Sequence, residues 1–157
     1  MSFKLGKKSL SNLEGVHPDL VKVVHRAIEI TTVDFTVIEG LRTPERQAQL
    51  LKEKKTTTKN SRHLTGHAVD LAAWVDGTVS WDWKHYYKIA EAVKQAAQEF
   101  EVSIEWGGVW DREISQYESA EEASKDYVKR RKAKGQSVFL DAPHFQLAWG
   151  KYGKTDL

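Results

Sequence analysis

At 157 residues the chain falls in the range of one domain, long enough for folding to bury roughly 70 % of the surface that its unfolded form exposes. The composition is that of a globular protein (40 % hydrophobic, 29 % charged, 3 Pro, 10 Gly), and the lack of cysteine excludes disulfides, thiolate zinc sites, iron–sulfur clusters and a cysteine nucleophile, so any metal must be held by nitrogen and oxygen. A net charge of +2 selects no partner: the basic runs "LKEKKTTTKNSR" and "YVKRRKAKG" suit an anionic polymer, nucleic acid or bacterial wall alike, and read equally well as solvated faces.

The opening, "MSFKLGKKSLSNLEG", lacks the apolar run of a signal peptide, and no stretch approaches the ~20 apolar residues of a membrane span. The expectation is a chain made and folded in a cytosol. In "HPDLVKVVHRAIEIT", Leu20, Val23, Val24, Ala27 and Ile28 recur at helical spacing behind Pro18, which predicts an amphipathic helix. "DFTVIEG" is short and β-branched and predicts a strand ending at Gly40; Thr43 then caps a helix through "PERQAQLLKEK", leaving Arg42 at a strand-to-helix junction. "TTTKNSRH" reads as a polar loop. "AVDLAA" alternates like a strand, with Ala68, Asp70 and Ala72 on one face.

Asp82 caps a longer helix whose buried stripe is Tyr86, Ile89, Ala90, Val93, Ala97 and Phe100, and "VSIEW" is a further strand closed by Gly107 and Gly108. "ISQYESAEEASKDYVKRRKAKG", with acids early and bases late, predicts an exposed helix ended by Gly135. "SVFLDAPHFQLAW" reads as two short strands interrupted at Pro143. Three or four helices and about five strands without a βαβ rhythm predict an α+β domain with segregated layers.

Chemistry concentrates in "SRHLTGHAVDLA". His63 and His67 stand four apart, but Gly66 and the strand-like run after it argue against the helix that would align them. Across a strand His67 and Asp70 point to opposite faces, whereas His63 can swing back over Asp70. A metal needs a third ligand, and His144 is the remaining histidine in a strand-like setting, with Asp141 three residues earlier. His17, His25 and His85 have no partner at useful spacing and read as structural or exposed. From spacing alone, this constellation and a set of unrelated polar residues stand level.

These residues carry a resemblance. "SRHLTGHAVDL" fits an S-x-H-x-x-G-x-A-x-D pattern and "DAPHFQ" a D-x-P-H-F-[EQ] pattern of the zinc D,D-carboxypeptidase and L-alanyl-D-glutamate peptidase family of wall-cleaving enzymes. "GLRTPERQAQLL" and "EWGGVW" resemble two further segments of that family, so the likeness spans about residues 35–149. Within the family the chain most resembles single-domain phage endolysins. The resemblance implies a small antiparallel sheet with helices on one side, as in D,D-peptidases and Hedgehog proteins, and one peptidase domain over residues 1–157. It implies one Zn²⁺ held by His63, Asp70 and His144, with Asp141 as catalytic acid/base and Arg42 as the positive group at the oxyanion. The implied reaction is hydrolysis of the L-Ala–D-Glu bond of the peptidoglycan stem peptide by metal-activated water.

Ser61 reads either as holding a substrate carboxylate or as ordering its loop, and Trp106 and Trp110 either as cleft wall or as core. Arg42 has an ion pair with Glu39 or Glu45 as its alternative. Phe139, Phe145 and Trp149 are candidates for the apolar surroundings of Asp141. Two departures stand out: Val109 replaces the family's usual Asp, and the charged segment at about 112–135 is longer than in many members and reads as an insertion. The implied protein is a monomer that binds neither nucleic acid nor membrane, waits in the host cytoplasm and reaches the wall through a separate pore. The alternatives are a D,D-carboxypeptidase or dipeptidase acting on D-Ala termini, and a non-catalytic wall-binding module that keeps zinc for structure.

Overall fold

A computed structural model describes residues 3–54 and 61–152. The elements, in order, are α1 (Lys7–Asn12), α2 (Pro18–Ile30), β1 (Phe35–Glu39), α3 (Pro44–Lys52), a 3-10 turn (Arg62–Thr65), β2 (Ala68–Val75), β3 (Thr78–Ser80), α4 (Trp83–Phe100), β4 (Ile104–Trp106), a 3-10 turn (Ile114–Gln116), α5 (Ala120–Ala133), β5 (His144–Leu147) and α6 (Trp149–Tyr152). The strands form one antiparallel sheet in the order β1-β2-β5-β4, with β3 added to the far end of β2. The segregated α+β layout expected from the sequence is the one observed.

Strand alternation gives the sheet two different faces. Phe35, Val37, Val69, Leu71, Ala73, Ile104, Trp106, Phe145 and Leu147 join the hydrophobic core together with α2 and α4. The opposite face carries Ala68, Asp70 and Ala72 of β2 beside His144 and Gln146 of β5. Helix α2 forms as its periodicity predicts: Pro18 supplies N1, and Leu20, Val23, Val24, Ala27 and Ile28 are all buried. Thr43 caps α3 and Asp82 caps α4 through side-chain oxygens that accept backbone N–H groups.

Several expectations need correction. Helix α1 was not foreseen; it covers the free edge of β1, where Ser9 Oγ accepts the Val37 N–H (2.9 Å) and Asn12 Nδ2 donates to the Val37 carbonyl (2.8 Å). Strand β2 runs on to Val75 and turns back into β3 through Asp76 and Gly77, both at positive φ, an Asp-Gly hairpin signal passed over in "WVDGTV". Phe100 is 39 % exposed rather than part of the α4 stripe. No strand precedes Pro143 in residues 137–142; only the half after it, β5, pairs. Helix α5 is not wholly exposed: Ala120, Ala123, Ser124 and Tyr127 are buried, and Lys94 of α4 donates to the Tyr117 and Glu118 carbonyls just ahead of it (3.0 and 2.6 Å). Of the polar loop read in "TTTKNSRH", residues 56–60 lie outside the described residues, and the rest leads into the 3-10 turn at Arg62–Thr65, capped by Ser61.

Candidate metal centre

The site is assembled where β2 meets β5, on the face of the sheet turned away from the hydrophobic core, with Asp70 directly opposite His144 in the register. His63 comes from the 3-10 turn before β2. Ser61 caps that turn, its Oγ accepting the His63 N–H at 3.2 Å, and the Arg42 N–H holds the His63 carbonyl at 2.8 Å. Gly66 ends the turn at φ 75°, and a Cβ there would stand 2.4 Å from the Gly15 carbonyl oxygen. Sequence and contacts together therefore explain why His63 folds back over Asp70 while His67 does not.

The outward hydrogen bonds orient each ring. His63 Nδ1 lies 2.8 Å from the Gly40 carbonyl, which only accepts, so Nδ1 carries the proton and Nε2 the lone pair. That Nε2 faces Asp70 Oδ1 at 3.3 Å. His144 is reversed: Nε2 donates to Gln146 Oε1 at 2.7 Å, and Nδ1 faces the same Asp70 oxygen at 3.2 Å. The ligand atoms of His63, Asp70 and His144 all lie within 4.8 Å of one another. Three possible ligand atoms thus converge, an arrangement that calls for a positive charge, proton or metal, among them.

The titration behaviour carries the same message. Burial opposes charge on Asp70, yet the His63 and His144 rings outweigh it and hold the carboxyl far below its usual range. Burial likewise opposes a cation on His144, but its hydrogen bond to Asp70 and that group's charge raise it. A divalent cation satisfies all three groups at once, and two imidazoles with one carboxylate form a donor set suited to zinc. The outward-facing nitrogens are already bonded to acceptors, the pattern that orients metal-ligating histidines.

Asp141 sits beside this group without belonging to it. Its N–H donates to the Gly107 carbonyl (2.9 Å), Gly107 N–H donates to the His144 carbonyl (2.9 Å), and a Cβ on Gly107 would come within 2.0 Å of the Asp141 carbonyl oxygen. The glycine is thus what lets the Asp141 segment lie against β4. Burial pushes the Asp141 carboxyl up, and the charge of Asp70 adds to this, against His144, His63 and Arg42 pulling it down.

The remaining candidates divide. Arg42 makes the ion pair with Glu39, donating Nε and a terminal nitrogen at 2.7 and 2.8 Å, while its other terminal nitrogen donates to Gln47 (2.7 Å) and Ser61 (3.4 Å). Its charge still reaches Asp141. Trp110 lies with its ring 5.0 Å from that of His144, stacked on Phe139. Trp106 does not line a cleft: it is wholly buried, and its indole donates to the Ala142 carbonyl (2.7 Å), supporting the Asp141–His144 segment from the core side.

Of the aromatics expected around Asp141, Phe145 faces the core against Trp106, Trp149 lies under the Arg62 guanidinium, and Phe139 is 61 % exposed. Val109 is buried in the core, so the departure there is an apolar one. His67 is buried, with Nδ1 bonded to Thr65 Oγ1 (2.6 Å), and His17 caps α2 by accepting the Asp19 N–H. Gln146 and Glu105 were missed as site residues. The signal was available, because alternation in "HFQL" puts His144 and Gln146 on one face.

A family model described as phage L-alanyl-D-glutamate peptidase matches residues 1–148. The chain is 36 % identical over 115 residues to the L-alanyl-D-glutamate peptidase of Escherichia phage T5, spanning 71 % of this chain and 84 % of that protein. It is 26 % identical over 150 residues to the L-alanyl-D-glutamate peptidase of Listeria phage A118, spanning 93 % of this chain but only 43 % of the relative. The crystal structure of Serratia marcescens L-Ala D-Glu endopeptidase ChiX matches with a TM-score of 0.76 at 38 % identity, covering 97 % of this chain and 95 % of that one.

Proposed function

The chain belongs to the phage L-alanyl-D-glutamate peptidase family, and from that premise we propose that it is a zinc-dependent endolysin that hydrolyses the L-Ala–D-Glu bond of the peptidoglycan stem peptide. The observation that carries the zinc is the convergence of His63 Nε2, His144 Nδ1 and Asp70 Oδ1 within 4.8 Å of one another, on rings whose outward nitrogens are already bonded to acceptors. These three residues would hold the ion. When bound, zinc supplies Lewis acidity, which acidifies water and polarises a carbonyl oxygen.

The rest is done by side chains of this protein. Asp141 takes the proton from the attacking water and delivers it to the leaving D-Glu nitrogen, a role worth about 10²–10⁴ in rate. Its raised pKa suits the second half of that task, since an ordinary aspartate near 3.9 donates poorly at neutral pH. Arg42 places a permanent positive charge near the developing oxyanion. Its fork is pinned on Glu39, which leaves one of its five N–H donors uncommitted and fixes the guanidinium in place. Ser61 acts on the turn that carries His63, and the Trp110 face forms a wall beside His144.

Among the described residues no helix is long and apolar enough to cross a membrane. Access to the wall would then depend on a pore made by another protein. Mass spectrometry of purified peptidoglycan digested by the zinc-loaded protein tests the assignment. Stem peptides beginning at D-Glu are expected; loss of terminal D-Ala alone would overturn it.

A further inference from the structure

We propose that Glu105 and Gln146 form a positioning pair that determines which nitrogen of His144 faces the metal; this rests on the reading that His63, Asp70 and His144 hold the ion. The two histidine ligands are oriented by different kinds of partner. The outer nitrogen of His63 is bonded to a backbone carbonyl, which can only accept. The outer nitrogen of His144 is bonded to a side-chain amide, which has an accepting and a donating end of nearly the same shape.

Turned about, the Gln146 amide would offer N–H to His144 Nε2. The ring proton would then move to Nδ1, the atom that faces Asp70, and metal binding would have to displace it. Glu105 prevents that turn. It lies directly opposite Gln146 across β4 and β5, and its Oε1 accepts from Gln146 Nε2 at 3.1 Å. A carboxylate only accepts, so the NH₂ end must face Glu105 and the oxygen must face His144. Gln146 is 6 % exposed, so water is a poor substitute for either partner. Glu105 therefore acts on His144 without touching it, through one amide whose two ends it distinguishes.

Zinc affinity measured by chelator competition, together with long-range ¹⁵N–¹H spectra of the metal-free protein at a pH where the His144 ring is neutral, tests the pair. Partners of this kind are worth about 10–100-fold in affinity, the loss expected for Gln146→Leu. Glu105→Ala is expected to weaken zinc in the same direction by less, with the His144 proton shared between both nitrogens instead of residing on Nε2. The exchange Glu105→Gln with Gln146→Glu keeps an acceptor toward His144 and a donor opposite it, and is expected to restore wild-type affinity. Wild-type affinity in both Gln146→Leu and Glu105→Ala would overturn the pairing, as would an exchange variant that binds zinc no better than Gln146→Leu. Should Gln146→Leu fail to fold, Glu105→Ala and the exchange decide the matter. A wild-type protein that binds no zinc overturns the metal site itself; wild-type binding with indifferent variants overturns only the positioning pair.

Discussion

His63, Asp70 and His144 turn two ring nitrogens onto one carboxylate oxygen, whereas Arg130, Asp111, Asp126 and Tyr117 meet as donors and acceptors already matched. In the second cluster Arg130 donates to both Asp111 oxygens (2.5 and 3.1 Å), to Asp126 (2.9 Å) and to the Tyr117 hydroxyl (3.1 Å), and that hydroxyl donates to Asp126 (2.7 Å). Both clusters are centred on aspartate, but the first joins residues 74 apart in sequence and the second residues at most 19 apart. They differ in burial and in balance. The carboxylate of the first is 15 % exposed and those of the second 45 % and 36 %, so water and salt weaken the second cluster while the first bears the full cost of an unmet charge. A buried convergence of ligand-type atoms marks a candidate cation site; an exposed match marks a brace.

The largest effect should come from breaking the convergence itself. His63→Ala and His144→Ala each remove a ligand and are expected to lose zinc by more than the ~100-fold that an outer partner can command, with hydrolysis lost alongside. His67→Ala is expected to retain the ion, because its ring nitrogen is committed to Thr65. Titration of each variant with zinc, followed by turnover of a stem peptide, checks this. A His67→Ala protein that loses zinc while His63→Ala keeps it would reverse the assignment.

A smaller and more selective effect separates binding from chemistry. Asp141→Asn leaves all three ligands in place, so zinc stoichiometry should hold while kcat falls by about 10²–10⁴. Asparagine keeps the backbone bonds to Gly107 and His144 and removes only the ability to carry the proton. Full activity in this variant would end the acid/base role, and loss of zinc would place Asp141 among the ligands.

How much of this was legible in the sequence follows from the same contrast. The helices α2, α3 and α4 could be read because their caps and apolar spacing are local, and the placing of His63 rather than His67 over Asp70 because Gly66 and the following alternation are local too. Helix α1 was illegible, since six residues have little propensity to be helical alone and are held by the edge of β1. The false strand in "SVFLDAPHFQLAW" had the right composition, but pairing is a property of the sheet, and of that segment only His144–Leu147 finds strands to pair with. Trp106 was ambiguous because an aromatic in a strand serves core or cleft according to which face the register gives it. The Glu105–Gln146 contact joins residues 41 apart, which no local pattern could connect.

The smallest effect belongs to the matched cluster. Arg130→Ala removes its hub, and exposed pairs of this kind contribute about 0.2–1 kcal/mol each, so a modest fall in thermal stability is expected with zinc binding and kcat unchanged. The pH dependence has a definite sign. The hydrogen bond from Arg130 holds Asp111 below its ordinary pKa, and those from Tyr117 and Arg130 do the same for Asp126. Carboxylates depressed in the folded state contribute stability above the unfolded value, near 3.9, and lose it as pH falls through the lower folded values. The gap in melting temperature between wild type and Arg130→Ala should therefore be full at neutral pH, close in strong acid, and narrow as salt is raised at neutral pH. If Arg130→Ala instead lowered zinc affinity or kcat at neutral pH, the brace would be coupled to the site. Helix α5 would then belong to the catalytic apparatus rather than merely lie docked beside it.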